Sequence, residues 1–395
     1  MKLPRSFDSI RVEGRRVLVR ADFNVPLSDG VIGDDTRVRA AMPTIEALRA
    51  RGARVVLCSH LGRPRGTARP ELSLRPVCAR LSELLGTPVR FATDCIGPVA
   101  EQAVSELSEG DLLLLENLRF HPGEEQNDPH FAAALAALAE VYVNDAFGAA
   151  HRAHASVAAV AGLLPAAAGY LLRRELEVLG NLLDSPAHPF VVVSGGVKVA
   201  DKIGVIERLA GPADAILIGG AMAYTFEVAQ GGRVGDSLHE DGEGQESARR
   251  AVAACREGGC ELLLPPDSVC GRSFSADPPQ QVFPSDQIDD GWMGLDIGPQ
   301  AAETYAARAR DAATVFWNGP MGAFELAPYA AGTTAIAEAM AACSGTTVVG
   351  GGDSVSALTQ AGLADRVTHV STGGGASLEL LEGRTLPGVA ALPTE

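Results

Sequence analysis

Short apolar runs recur along the chain with helical patterns between them, and most runs end in glycine or in a polar group capable of chemistry. In the first half the runs are residues 16–20, leading to Asp22 and Asn24; 54–57, leading to His60; and 89–92, leading to Asp94. They continue with 112–115, leading to Arg119, and 141–143, leading to Asn144 and Asp145. Helical spacing fills the intervals 37–51, 74–85 and 131–139. Strand alternating with helix predicts the α/β class, with a parallel sheet flanked by helices. Ligands of such sheets bind off the carboxyl ends of the strands, where the polar residues named here fall. The second half repeats the scheme with runs at 190–193, 215–218, 261–264, 314–317, 346–349 and 368–370. Its turns read SGGVK, GGAM, PPDS, NGPMG, GGGDS and STGGGAS, more glycine than loop closure requires, which implies backbone held close to something. No sequence repeat links the halves.

Between them the pattern breaks at Leu164-Pro165, runs helical from Tyr170 to Leu183, and passes through the loop SPAHP. The reading is two Rossmann-like lobes joined by a helix, with a hinge cleft: residues 1–165, an interdomain helix at 166–185, and a second lobe at 186–379. At 395 residues the chain exceeds the usual limit of one core, which agrees.

Composition narrows the partners. Hydrophobic residues make up 46% and charged residues 21%, with a net charge of −16, so neither nucleic acid nor a membrane surface is expected as partner. An anionic substrate must then be held by a local basic cluster. The seven cysteines show no CxxC spacing, so neither a disulfide nor a Cys-rich metal site is expected. The segment 157–172 carries Gly162, Pro165 and Gly169 and reads as a packed connector. The opening MKLPRSFDSI lacks the apolar stretch of a signal peptide, which predicts a cytoplasmic protein.

The stretch FVVVSGGVKVADKI, 190–203, reads as strand, glycine turn and helix. A helix over 197–209 would put Lys198 and Lys202 on one face beside an anion-favouring N-terminus. In the first half Arg37, Arg63, Arg119 and Arg152 sit near strand ends with His60, Asp22 and Asn24. Guanidinium groups grip carboxylate and phosphate in two-pronged fashion, so this set suits a small, multiply charged acid. His151 and His154 lie three apart but with Arg152 between them and no further ligand, which favours a cap or an anion contact over a metal. No Walker sequence and no GxGxxG fingerprint is present. Gly350 to Ser354 follow an apolar run, and there Asp353 suits Mg²⁺, or a helix cap. The three glycines Gly373 to Gly375 precede a helix expected over 378–382 and would offer N–H donors to an anion.

Together VRADFNVP, SHLGRP, LLENLRFHPGE, VNDAFGAAHRAH, GGVKVADKI, WNGPMGAFE, GGGDS and HVSTGGGASLELLEG resemble the phosphoglycerate kinase family, from about Val19 to Gly388. The resemblance implies a two-lobed, hinge-closing cytoplasmic monomer of glycolysis. Such an enzyme moves a phosphoryl group reversibly from 1,3-bisphosphoglycerate to Mg-ADP, giving 3-phosphoglycerate and Mg-ATP. By motif, Asp22, Asn24, Arg37, His60, Arg63, Arg119 and Arg152 would bind the glycerate in the N-terminal lobe, onto which the tail 380–395 folds back. Arg37 would also steady the group in flight. Lys198 would reach the transferring phosphate, and Lys202 those that stay with the nucleotide. Asn318 would lie at the phosphates, Glu325 at the ribose, Gly351, Gly352, Asp353 and Ser354 at the phosphates, with Asp353 on the metal. Gly373, Gly374 and Gly375 would cradle the transferred group. Ala21, Val197, Met321 and Ser354 depart from the family's usual residues. Val197, in place of alanine beside Lys198, raises the question of how tight that turn is. Two other readings are an acyl-phosphate kinase of another substrate and a non-catalytic two-lobed anion-binding protein.

Overall fold

Strand Arg16–Arg20 is apolar at Val17, Leu18 and Val19, and all three are fully buried, so both of its faces are covered. Only a parallel sheet with helices on each side does this for a strand of five residues. The structure, a computed structural model, describes residues 2–277 and 279–395. One compact unit runs to Glu177 and includes Thr385–Glu395; the other is Val178–Arg384. The chain passes from one to the other within helix Tyr170–Asp184.

In the first unit six parallel strands lie in the spatial order Val89–Ala92, Leu112–Leu115, Arg54–Cys58, Arg16–Arg20, Val141–Asn144 and Ala166–Ala168. Register places Val19 between Leu57 and Val143. The three-alanine edge strand belongs to the stretch that reads as a connector. Strand Arg16–Arg20 pairs with the strand that follows it on one side and with Val141–Asn144 on the other, so the chain reverses its direction of travel there. Asp22, Asn24 and His60 follow strand ends at that point.

The second unit orders its strands Glu261–Leu263, Ala215–Ile218, Phe190–Ser194, Thr314–Asn318, Thr346–Gly350 and His369–Val370. Ranked by sequence this is 3-2-1-4-5-6, the doubly wound dinucleotide-binding order, whose switch point falls between Phe190–Ser194 and Thr314–Asn318. Trp317, Tyr305, Ile336 and Val349 fill its core without exposure. An antiparallel sheet of Asp267–Gly271, Gln281–Pro284 and Met293–Ile297 is added to it, which the apolar runs do not announce. No helix among the described residues is long and apolar enough to cross a membrane.

Candidate active site

On the first unit the site grows from a buried chain of polar groups. Arg20, at the end of the first strand, is wholly buried. Its Nε donates to Ser156 Oγ at 2.9 Å and its Nη2 to His60 Nδ1 at 3.0 Å. Because arginine only donates, His60 must accept at Nδ1 and carry its proton on Nε2. Ser156 in turn donates from its hydroxyl to Glu124 Oε1 at 2.6 Å and from its backbone N–H to Glu124 Oε2 at 2.9 Å. Burial, then the charges of Arg20, Arg119, Arg37 and His154, hold His60 well below the usual histidine range, so it is a neutral donor. His154 is pushed down to about 4 by burial and by Arg119, Arg20 and Arg152. Its Nδ1 is buried without a hydrogen-bond partner. A group of cations that depress one another's neighbours is a site prepared for an anion.

Asp22 pairs with Arg37 at 3.0 Å and accepts the Asn24 N–H at 3.2 Å, which aims the guanidinium from the first turn of helix Thr36–Ala50. Asn24 Oδ1 accepts from Gly62 N at 2.9 Å, and Arg119 Nη1 donates to Gly62 O at 2.8 Å. Asn117 braces the same loop by bonding both N and O of Leu61. Asp22, Asn24, Arg37, His60, Arg119 and Arg152 are therefore brought into one electrostatic neighbourhood. Arg63 is exposed in the loop after Gly62, away from the hydrogen bonds that join the others. Sequence reading misses Arg20, Glu124 and Ser156; the one available signal is a charged residue closing an otherwise apolar parallel strand. His151 lies in a turn and His154 in irregular chain after it, neither on a helix.

The second unit corrects the reading of 197–209 as helix. Helix Ile203–Leu209 begins only after Lys202, which is its N-cap. Val199 N–H is taken by Glu240 Oε2 at 2.6 Å, and Gly195 and Gly196 donate to Asn318 O and Pro320 O at 3.0 and 3.1 Å. Lys202 N and Ile203 N both donate to Val199 O at 2.9 Å, so the first helical turn opens only at Val199 and leaves Lys198 outside it; Lys198 and Lys202 share no helix face. Lys198 is exposed. Lys202, partly buried, reaches Asn318 Oδ1 and, at 3.3 Å, Asn318 O. Burial lowers its pKa to about 8 against the pull of Asp353 and Asp201.

The glycines here hold backbone against backbone. A Cβ on Gly195 would stand 2.0 Å from Pro320 O, and one on Gly319, whose φ is +98°, would stand 2.1 Å from Gly195 O. These two loops straddle the sheet's switch point. Beside them opens a pocket of about 520 Å³ lined by Gly196, Val197, Tyr224, Leu238, Glu325 and Asp353. That volume suits a nucleoside-sized ligand. Val197 is half exposed and lies on the pocket wall, so its bulk falls outside the turn. Tyr224, Leu238, Phe274 and Asp296 also line the pocket and carry no sequence signal.

Gly351 is the N-cap of helix Gly352–Gln360, which leaves Asp353 exposed in the first turn with no capping bond. The cap reading of Asp353 is thereby excluded. Ser354 is buried and accepts from Gly319 N at 2.5 Å, joining this helix to the glycine loop. Asn318 Nδ2 is buried with no partner. Helix Gly375–Leu381 begins three residues earlier than the expected 378, with Gly374 as N-cap at φ +53°, Gly373 buried and Gly375 exposed.

The phosphoglycerate kinase family model matches residues 7–384. Similar proteins named phosphoglycerate kinase include that of Moorella thermoacetica, 55% identical over 383 residues and 97% of each chain. That of Chloroflexus aggregans is 58% identical over 385 residues and 96% of each. Among solved structures, phosphoglycerate kinase from Coxiella burnetii superposes with a TM-score of 0.89 at 38% identity, covering 98% of both chains. The strand order, the basic cluster and the switch-point pocket thus sit on a chain that belongs to the phosphoglycerate kinase family.

Proposed function

We propose that the two half-sites carry out the family's reaction, reversible phosphoryl transfer from 1,3-bisphosphoglycerate to Mg-ADP, giving 3-phosphoglycerate and Mg-ATP. The observation that carries this reading is the pairing, in one chain, of a neutral-histidine and arginine cluster with a nucleoside-sized pocket at a doubly wound switch point. Asp22, Asn24, His60, Arg63, Arg119 and Arg152 hold the glycerate, with Arg37 shared between substrate and transferring group. His60 donates from Nε2 to a substrate oxygen, while its Nδ1 is fixed by Arg20.

On the other side Lys198 meets the group in flight, and Lys202 meets the phosphates that stay with the nucleotide. Asn318 turns its unpartnered amide toward them, Glu325 faces the ribose, and Gly351, Gly352 and Ser354 hold the phosphate end. Gly373, Gly374 and Gly375 receive the transferred group. Asp353 fits a magnesium ligand, because its carboxylate is exposed on the pocket wall, with the Lys202 ammonium near enough to feel its charge. Magnesium, when bound, supplies neutralisation of phosphate charge. Phosphoryl transfer passes through a loose transition state, so positioning and neutral charge balance are the protein's tasks, and no phosphoenzyme forms. Closure of the two units excludes water from the acyl phosphate. The reading includes a cytoplasmic monomer. A coupled assay with 3-phosphoglycerate and Mg-ATP tests it. Turnover is expected, and none from folded protein would remove this reading in favour of another acyl-phosphate substrate or of binding alone.

A further inference from the structure

Helix Glu243–Gly258 ends in CREGGC, residues 255–260, and the ending is a complete Schellman cap. Gly259 is left-handed at φ +73°, Gly259 N donates to Arg256 O at 3.4 Å, and Cys260 N donates to Cys255 O at 2.9 Å. In this motif the residues joined by the longer bond bring their side chains together, ordinarily as an apolar contact. Here both are cysteines. The two thiols act on each other's titration: Cys260 draws the Cys255 pKa down, while Cys255, burial and the charges of Asp214 and Glu261 push Cys260 up. The backbone bond and standard bond lengths hold the two Cα atoms within about 7 Å, the span a disulfide tolerates.

From this geometry we infer that Cys255 and Cys260 form a redox-active dithiol, a modification site that low-molecular-weight disulfides oxidise to an intrachain disulfide. The Cys255 thiolate attacks one sulfur of the reagent RSSR, forming a Cys255–S–S–R mixed disulfide and releasing one thiolate. Cys260 then loses its proton and attacks the Cys255 sulfur, breaking the mixed bond and releasing the second thiolate. Two cysteine thiols are oxidised, one reagent disulfide is reduced, and the two protein protons end on the two released thiols. Both sulfurs are nearly buried, but the intervening residues Arg256, Glu257, Gly258 and Gly259 are all exposed, so opening this one turn admits the reagent. The product would tie the helix to Glu261–Leu263, the edge strand of the second sheet.

The test incubates the native full-length protein with oxidised glutathione, alkylates remaining thiols, and digests with trypsin without reduction. Trypsin cuts after Arg256, between the two cysteines. The expected product is peptides 251–256 and 257–272 joined, absent before oxidation, in the majority of chains afterwards, and separated by dithiothreitol. In Cys260→Ser the link should vanish and Cys255 should carry a glutathione adduct instead. A link that persists in that variant would belong to Cys270, which lies in the same peptide, and would overturn the assignment. Alkylation of both Cys255 and Cys260 in oxidised native protein, or a link formed only in denaturant, would overturn it equally.

Discussion

At the level of single residues, the site keeps its charges where desolvation makes them useful. Lys202 has its pKa lowered to about 8 from 10.5 by burial. A lysine with a folded pKa below its unfolded one costs stability while both states bind the proton, below about 8. That cost fades as the pH rises from about 8 toward 10.5. On the proposed contact of Lys202 with the nucleotide phosphates, binding reverses the shift. ADP binding should therefore weaken as the pH rises through 8 and should take up as much as one proton per ADP near pH 9. Calorimetry in two buffers of different ionisation enthalpy reads this directly, and Lys202→Met should abolish the uptake. Uptake unchanged in that variant would reassign the proton. On the proposed roles of Lys198 and Arg37 at the group in flight, Lys198→Ala or Arg37→Ala should each lower turnover by on the order of 10²-fold, the scale for one preorganised charge contact. Near-normal turnover would refute that role. The Arg20–Ser156–Glu124 chain makes a different claim. Arg20→Leu removes the guanidinium that Ser156 links to the buried Glu124, and should cost about 3 to 5 kcal/mol in urea unfolding.

Among elements, what could be read beforehand was the strands, because a strand buried on both faces is an uninterrupted apolar run. Phe190–Ser194 and Leu112–Leu115 stand where their composition puts them. Ala166–Ala168 stayed hidden, since three alanines between Pro165 and Gly169 carry no strand signal. The sheet built on Met293–Ile297 stayed hidden because Gly294 and Asp296 stand at its buried positions, so the apolar pattern does not mark the inward face. Helix 197–209 starts late: its first turn closes on Val199 O, where Glu240, some forty residues on, takes the Val199 amide. Arg20, Ser156 and Glu124 were illegible in the same way, their bonds spanning 136 and 32 residues. The glycine turns signalled close approach, but not that the neighbour of Gly195 is Pro320 rather than a ligand. This separates two substitutions that look alike in sequence. Gly195→Ala forces a Cβ to 2.0 Å from a carbonyl and should cost about 3 kcal/mol with loss of nucleotide binding. Gly352→Ala meets nothing within 4 Å, and its fold stability should change by less than about 1 kcal/mol. Equal effects in chemical denaturation would contradict the packing role of Gly195.

For the whole molecule, the division into units does not follow chain order, because the last residues, Thr385–Glu395, belong with the first. Gly388 N donates to Ala150 O at 2.8 Å, Asn144 Nδ2 donates to Gly388 O at 3.2 Å, and Arg5 N donates to Pro393 O at 2.8 Å. Glu395 pairs with Arg173, and Leu386 and Leu392 are almost fully buried. Burying two leucines is worth roughly 3 to 6 kcal/mol before any loss of hydrogen bonds. Ending the chain at Arg384 should therefore weaken the first unit while leaving the core of the second untouched. The two tryptophans make this measurable, since Trp292 and Trp317 both lie in Val178–Arg384. In guanidinium titrations of the shortened chain, tryptophan fluorescence should keep its midpoint. Far-ultraviolet circular dichroism, which reports both units, should gain an earlier transition. If the fluorescence midpoint falls as far as the dichroism, the units unfold as one cooperative body, and the tail stabilises the entire chain rather than the unit it packs on.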